Sequence, residues 1–225
     1  CDSDDWVELG IYERMYEKAI TSQADVVCCM FVKEYHDHKC IQDGYISSNP
    51  HESINASSSN YFMYLWNNLV RREIITQHNI VPEDGLNYGE DTYNMVRIYY
   101  YSNRIEYIDS PFYHYNLTNE NQLTRSNRQF IQSQLITCTQ LLEKFFENKE
   151  GDFTAYLSAL KHRRKLYVLS EGANEFLSIF PEENKNILKI KELSVFTRVM
   201  LWLAAHNVIG AAKLYDILVA IRNRK

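Results

Sequence analysis

The residues with chemical potential come in two acidic groups. The chain opens Cys1-Asp2-Ser3-Asp4-Asp5, and much further on reads Gly89-Glu90-Asp91. Aspartates two apart on a tight loop can aim two carboxylates at one hard cation. Mg2+ and Mn2+ take oxygen ligands and leave positions for phosphate oxygens, and such a cation neutralises a diphosphate and helps it depart. A carboxylate in a loop ahead of a helix, as at Asp91, can serve as a general base. Each group also has an ordinary counterpart. Acidic residues ahead of a helix are N-caps worth about 1 kcal/mol, and Asp4, Asp5 and Asp91 all stand where a cap would stand.

The elements that must position these groups follow from pattern. Leu9, Tyr12, Met15, Tyr16 and Ala19 recur at helical spacing and predict a helix over 6–22. "ADVVCCMFVKEY" is a compact, β-branched run that reads as a buried strand. A hairpin turn is expected around Asp37–Lys39, with a second turn at Asp43-Gly44. "SSNPHESINASSSN" reads as a polar surface loop, and a helix is expected over 60–77. "HNIVPEDGLNYGED" is irregular, "DTYNMVRIYYYSN" helical, "RIEYIDSPFYHYN" extended and "LTNENQLTRS" a polar loop. After about residue 127 the pattern is helical, with breaks near "NKEGD" and "FPEENKN". The reading is α/β over 1–125, with a helical region over 126–225.

Composition narrows the partners. The net charge of −5 offers no basic excess for nucleic acid. The 17 tyrosines suit polar ligand sites such as those for sugars, and equally suit half-buried positions. Five cysteines, an odd number without a CxxC pair, argue against a disulfide framework and for a reducing, cytoplasmic setting. The acidic start is unlike a signal peptide.

Taken in order, "CDSDDWVELGIYERMYEKAITSQADVVCCMF", "LWNNLVRREII", "VPEDGLNYGED" and "IEYIDSPFYHYNLTNENQLTR" resemble the second half of family 2 glycosyltransferases, inverting enzymes of the GT-A fold that use nucleotide sugars. The resemblance covers roughly residues 1–125. It implies that Asp2 and Asp4 form the DxD motif for a Mg2+ or Mn2+ ion and the nucleotide diphosphate, with Asp5 beside them. It implies that Asp91 is the catalytic base, with Glu90 adjacent. The family's Lys is replaced by Asn68, its Tyr by Val70, its Arg by Asn116 and its Ser by Gln122. The strand–helix repeats that precede DSDD in the family are absent, so the chain reads as a fragment expected to be inactive alone, with an exposed sheet edge. The implied donor is a UDP- or GDP-sugar. The implied acceptor is a saccharide or lipid-linked saccharide, in bacterial surface polysaccharide synthesis at the inner face of the plasma membrane.

Other residues carry competing readings. Trp66 could stack on a sugar at the acceptor side, with Asn67 beside it, or pack in the core. His114 could add a metal ligand or be an ordinary hydrogen-bonded histidine. His36, His38 and Cys40 alternate as zinc ligands would on a strand, unless the turn at Asp37–Lys39 breaks the alignment. The uncharged stretch Val199–Ala212 is too short to span a bilayer. With its basic flanks it could lie on an anionic membrane or pack on the rest of the protein. The alternative to an enzyme is a non-catalytic remnant serving as a binding or membrane-docking module.

Overall fold

The structure, a computed structural model, describes residues 1–42, 46–57, 63–118, 127–191, 193–208 and 210–222, apart from the side chains of 170 and 218–222. The expected turn at Asp43-Gly44 and most of the loop "LTNENQLTRS" lie outside the described residues. The chain divides into two compact units, Cys1–Tyr156 and Leu157–Lys225.

The first unit is built on β2 (Val26–Glu34), the strand expected from its apolar run. Val26, Val27, Cys28 and Cys29 are fully buried, as a strand covered on both faces requires. β2 runs parallel to β5 (Ile105–Asn116) and antiparallel to β3 (Lys39–Gln42) and β4 (Asn68–Val70). The β2–β3 hairpin closes with the Tyr35 N–H donating to the His38 carbonyl at 2.9 Å, at the turn the sequence predicts. On its other side β5 pairs with the two-residue β1 (Trp6–Val7). The β2–β5 register shifts on either side of Met30, which pairs with Pro111. A proline has no N–H for the ladder, so a bulge is the natural place for it.

Helices complete this unit's frame. α1 (Ile11–Ser22) follows Gly10, whose φ of 80° ends the preceding turn. The expected helix over 6–22 therefore starts a turn late, because Trp6 and Val7 pair with Tyr113 and His114 instead. Ile11 and Met15 pack on Val27, Cys29 and Phe112, while Leu9, Tyr12 and Tyr16 face solvent. α2 (Pro50–Ala56) forms within the stretch expected to be a loop. Asn49 Oδ1 accepts the N–H groups of His51 and Glu52 at 3.0 and 3.4 Å, and Pro50 occupies the first turn. The expected helix over 60–77 is replaced, where described, by β4 and the short α3 (Arg72–Gln77). α4 (Glu90–Tyr101) matches its helical pattern and buries Met95, Val96, Ile98 and Tyr99.

α5 (Arg128–Phe146) packs against α4. Cys138 on α5 donates its thiol to the Gly89 carbonyl at 3.3 Å. All five cysteines are free: Cys1 and Cys40 are exposed, and Cys28, Cys29 and Cys138 are buried.

The second unit is helical. It holds most of α6 (Thr154–Val168), then α7 (Ala173–Ser178), α8 (Val195–Ala205) and α9 (Ala211–Arg222), with 3-10 turns at Leu169–Glu171 and Pro181–Lys189. Its core gathers Val168, Phe176, Ile187, Leu201 and Tyr215. Lys165 is buried among them, with Nζ donating to the carbonyls of Phe176 (2.7 Å), Ile179 and Phe180 (3.4 Å). Those are carbonyls that the ending of α7 leaves open. Among the described residues, no helix is long and apolar enough to cross a membrane.

Candidate functional site

The acidic opening is a turn, closed by the Asp5 N–H donating to the Asp2 carbonyl at 3.2 Å. β1 follows at once and sets this turn beside the end of β5. β5 then fastens it. The Tyr113 hydroxyl donates to Asp5 Oδ2 at 2.7 Å and accepts the Asp2 N–H at 3.2 Å. The Asn116 N–H donates to Asp5 Oδ1 at 2.8 Å, and its side-chain amide donates to the Asp4 carbonyl at 3.1 Å.

Asp5 is thus an anchor rather than a cap, since both its oxygens are engaged by β5. Burial raises its pKa, the Asn116 and Tyr113 bonds oppose that, and the charges of Asp4 and Asp2 add to it. Asp2 is exposed and Asp4 partly so.

Asp91 stands in the first turn of α4, behind Gly89. The φ of 87° at Gly89 suits glycine, and a Cβ there would come within 3.3 Å of the Cβ of Cys138. The partly buried Asp91 carboxyl accepts the Leu65 backbone N–H. Burial is the main cause that pushes its pKa up to about 6, with smaller contributions from the charges of Glu90 and Asp2. Glu90 itself is partly exposed beside it.

The two acidic groups are linked through aromatic rings. Trp66, next to Leu65, stacks on Tyr113 with centroids 4.3 Å apart. Tyr64 and Tyr115 stack on the same indole at 4.8 and 5.7 Å, and Phe31 meets it edge-on at 4.8 Å. The path from Asp5 to Tyr113, Trp66, Leu65 and Asp91 crosses four short steps of structure. The charge of Asp2 also makes the smallest contribution to the raised pKa of Asp91.

Other expected residues are placed differently. Trp66 packs among protein rings, so its own surface is largely taken. Asn67, expected on the acceptor side, is 1% exposed. Its amide donates to the Cys29 carbonyl at 3.0 Å and accepts from Asn68 at 2.9 Å, which locks the start of β4 onto β2. His114 points to the opposite face of β5 from Tyr113 and Tyr115, as strand alternation requires. Its ring nitrogens lie 2.7 Å from Glu34 and 3.0 Å from Glu8, and Trp6 stacks on it at 5.1 Å. Both ring nitrogens of His114 are thus engaged by carboxylates.

The zinc alignment is broken by the hairpin: His38 stacks on Tyr35 and pairs with Asp37. Among the described residues, no group of three or more His, Cys, Asp or Glu could by itself hold a metal ion. Asp2 and Asp4 could supply two oxygens to a hard cation only if a ligand's phosphates and water supplied the rest.

Sequence reasoning did not pick out Tyr113 or the Leu65 N–H, and it marked Asn116 only as the residue standing where the family has Arg. For Tyr113 a signal existed, since Tyr113 and Tyr115 flank His114 and must share a strand face.

This architecture is a mixed α/β sheet-and-helix fold, and it matches solved structures of S. aureus TarS. The match to TarS 1–349 in complex with UDP covers 100% of this chain and 66% of that one, at a TM-score of 0.54 and 14% identity. The match to its complex with UDP-GlcNAc covers 94% of this chain and 56% of that one, at 0.50 and 15%.

In sequence the chain is homologous to bacterial glycosyltransferases. It is 25% identical over 131 residues to the uncharacterized glycosyltransferase EpsJ of Bacillus subtilis (strain 168), covering 55% of this chain and 38% of that one. It is 27% identical over 145 residues to the putative glycosyltransferase EpsH of the same strain, covering 60% and 41%. The chain thus spans about two fifths of the length of the curated relatives it matches. No family model matches it.

Proposed function

We propose that the chain carries the diphosphate-binding turn and the catalytic base of an inverting family 2 glycosyltransferase with a GT-A fold, which moves a sugar from a UDP- or GDP-sugar to an acceptor hydroxyl. One observation carries this reading: Asp91, raised to about 6, lies within electrostatic reach of Asp2 although 88 other residues separate them in sequence. A base poised near neutrality beside an acidic turn suits proton removal from a hydroxyl next to a bound diphosphate. Homology to glycosyltransferases supports the reading, as does a fold shared with a protein solved with UDP and UDP-GlcNAc.

In this reading Asp91 takes the acceptor proton as the hydroxyl oxygen attacks the anomeric carbon opposite the leaving diphosphate. Asp2 and Asp4 would hold a Mg2+ or Mn2+ ion, whose chemistry is to offset the charge of the departing diphosphate. Asp5, held by Tyr113 and Asn116, keeps those two carboxylates in place. The partly exposed rings of Tyr64 and Tyr115 offer apolar surface to a saccharide acceptor. A role in surface polysaccharide assembly at the inner face of the membrane belongs to the same proposal.

Donor screening with UDP- and GDP-sugars, Mn2+ and saccharide acceptors, on a protein that joins this chain to the nucleotide-binding half the family resemblance implies, tests it. The expected result is a product of inverted anomeric configuration whose formation is lost in Asp91→Asn. Retention of configuration, or an Asp91→Asn variant as active as the parent, overturns it.

A further inference from the structure

We propose that the outward face of α8, with the cations around it, seats the C-terminal unit on an anionic membrane surface. A helix held only by packing turns polar residues outward. α8 does the reverse at i, i+1, i+4 and i+7. Val195 is 68% exposed, Phe196 56% and Val199 43%, and Trp202 is partly exposed, while Met200 and Leu201 fill the core behind them. On α9, Leu214 and Ile217 are 48% and 46% exposed.

The sequence around this face is mostly basic, Glu192 ahead of α8 being the acid within it. Residues 157–225 hold twelve Lys and Arg against six Asp and Glu, a net +6, in a chain whose total is −5. From Leu193 to Tyr215 there is no Asp or Glu. Lys189 and Lys191, ahead of α8, and Lys213, on α9, are exposed. Asp216 accepts the Ala173 N–H at 2.8 Å, which spends the one acid of α9 on the start of α7.

An anionic bilayer meets both features at once, with headgroups for the lysines and the acyl boundary for the apolar side chains. A helix of 11 residues is about 16 Å long and can lie in the interface but not cross it. A second copy of the chain would bring two surfaces of like charge together. The proposal does not depend on the glycosyltransferase reading, because lipid binding and sugar transfer are measured separately.

Flotation of the purified 225-residue chain with vesicles tests it. With about one quarter phosphatidylglycerol in phosphatidylcholine, the chain is expected to float. With phosphatidylcholine alone, binding should fall at least tenfold, because each basic side chain near an anionic surface strengthens binding about fivefold. Raising salt from about 50 to 500 mM should release it. Phe196→Glu with Val199→Glu should abolish flotation while circular dichroism and Tm stay unchanged, since both sites face solvent. A second variant, Lys189→Gln with Lys191→Gln and Lys213→Gln, should lose binding without touching an apolar residue. Equal binding to both vesicle types, binding unchanged in either variant, or no binding to the anionic vesicles overturns the proposal. A dimer that dissociates on Phe196→Glu assigns the face to a second copy and overturns it too.

Discussion

The hydroxyl of Tyr113 donates to Oδ2 of Asp5 at 2.7 Å, across 108 positions of sequence. The Tyr113 hydroxyl oxygen in turn accepts the Asp2 N–H at 3.2 Å. One atom of β5 therefore fixes both ends of the opening turn, and the conformation of Asp2 and Asp4 depends on a residue outside it. Tyr113→Phe keeps the ring stack on Trp66 and deletes only this bridge. It should cost about 1–3 kcal/mol, because a partly buried carboxylate loses a donor. It should also weaken Mn2+-dependent binding of a nucleoside diphosphate several-fold. Urea unfolding and calorimetry check the two effects, and a variant equal to the parent in both would show that the turn holds itself.

Asp4 and Asp5 are adjacent, yet their replacements should separate. Asp4→Asn removes a charge from the turn and should abolish Mn2+-dependent binding of a nucleoside diphosphate with little change in Tm. Asp5→Asn should lower stability: its new amide NH2 is a donor and cannot accept from both the Asn116 N–H and the Tyr113 hydroxyl, as the carboxylate does. A loss of about 1–2 kcal/mol is expected. Equal Tm values for the two variants would contradict the division of labour between ligand and anchor.

For Asp91, the folded pKa of about 6 lies above the ordinary carboxyl value of 3.8. Between those values the native state holds more protons than the unfolded chain. The contribution of this group to stability therefore falls as pH rises through that window, and at neutral pH it is a net cost. Asp91→Asn should raise stability at pH 7 by about 1–3 kcal/mol, with the gain vanishing near pH 4. Thermal melts across pH 4–7 measure it. Transfer should rise with pH through about 6 as the carboxyl ionises, and a flat profile there would remove Asp91 from the role of base.

Lys165 shifts the other way. Burial lowers its pKa to about 8 from an ordinary 10.5, with the charges of Glu182 and Glu183 opposing. Between those values the unfolded chain binds the extra proton, so this contribution rises with pH from about 8 to 10.5. Lys165→Met should still destabilise by about 1–3 kcal/mol, because three carbonyls lose a donor, and it should erase the alkaline rise. A variant that melts with the same pH slope as the parent would show that the lysine is not the source.

The elements that carry the acidic groups were legible where local pattern and burial agree. β2 reads from its run of buried residues, α4 from its period and β5 from its extended stretch. β1 and β4 were not legible, because two- and three-residue strands exist only through their partners. Trp6 and Val7 look like a helix start until Tyr113 and His114 lie opposite. "LWNNLVRREII" has a helical look that the Asn67–Cys29 pairing overrides. α2 could have been read, because Asn49-Pro50 followed by Glu52 is a helix-start signature within a polar stretch. At the site, the identity of the acidic residues was in the sequence. Their anchoring was not, since Tyr113 and Asn116 act through strand register.

The five thiols lie at different depths, and that makes the chain its own clock for local opening. Thiolate is the species that alkylating reagents attack. Burial pushes Cys29 up to about 12 and Cys28 well above the usual thiol range. Cys1 and Cys40 should label at once. Cys28 and Cys29, in the central strand, should label only when the sheet comes apart. Cys138 covers Gly89, two residues from Asp91, so its labelling rate times the lifting of α5 from the turn that holds the base. Whether that turn breathes alone or only with the whole unit can therefore be read by mass spectrometry, with no added probe.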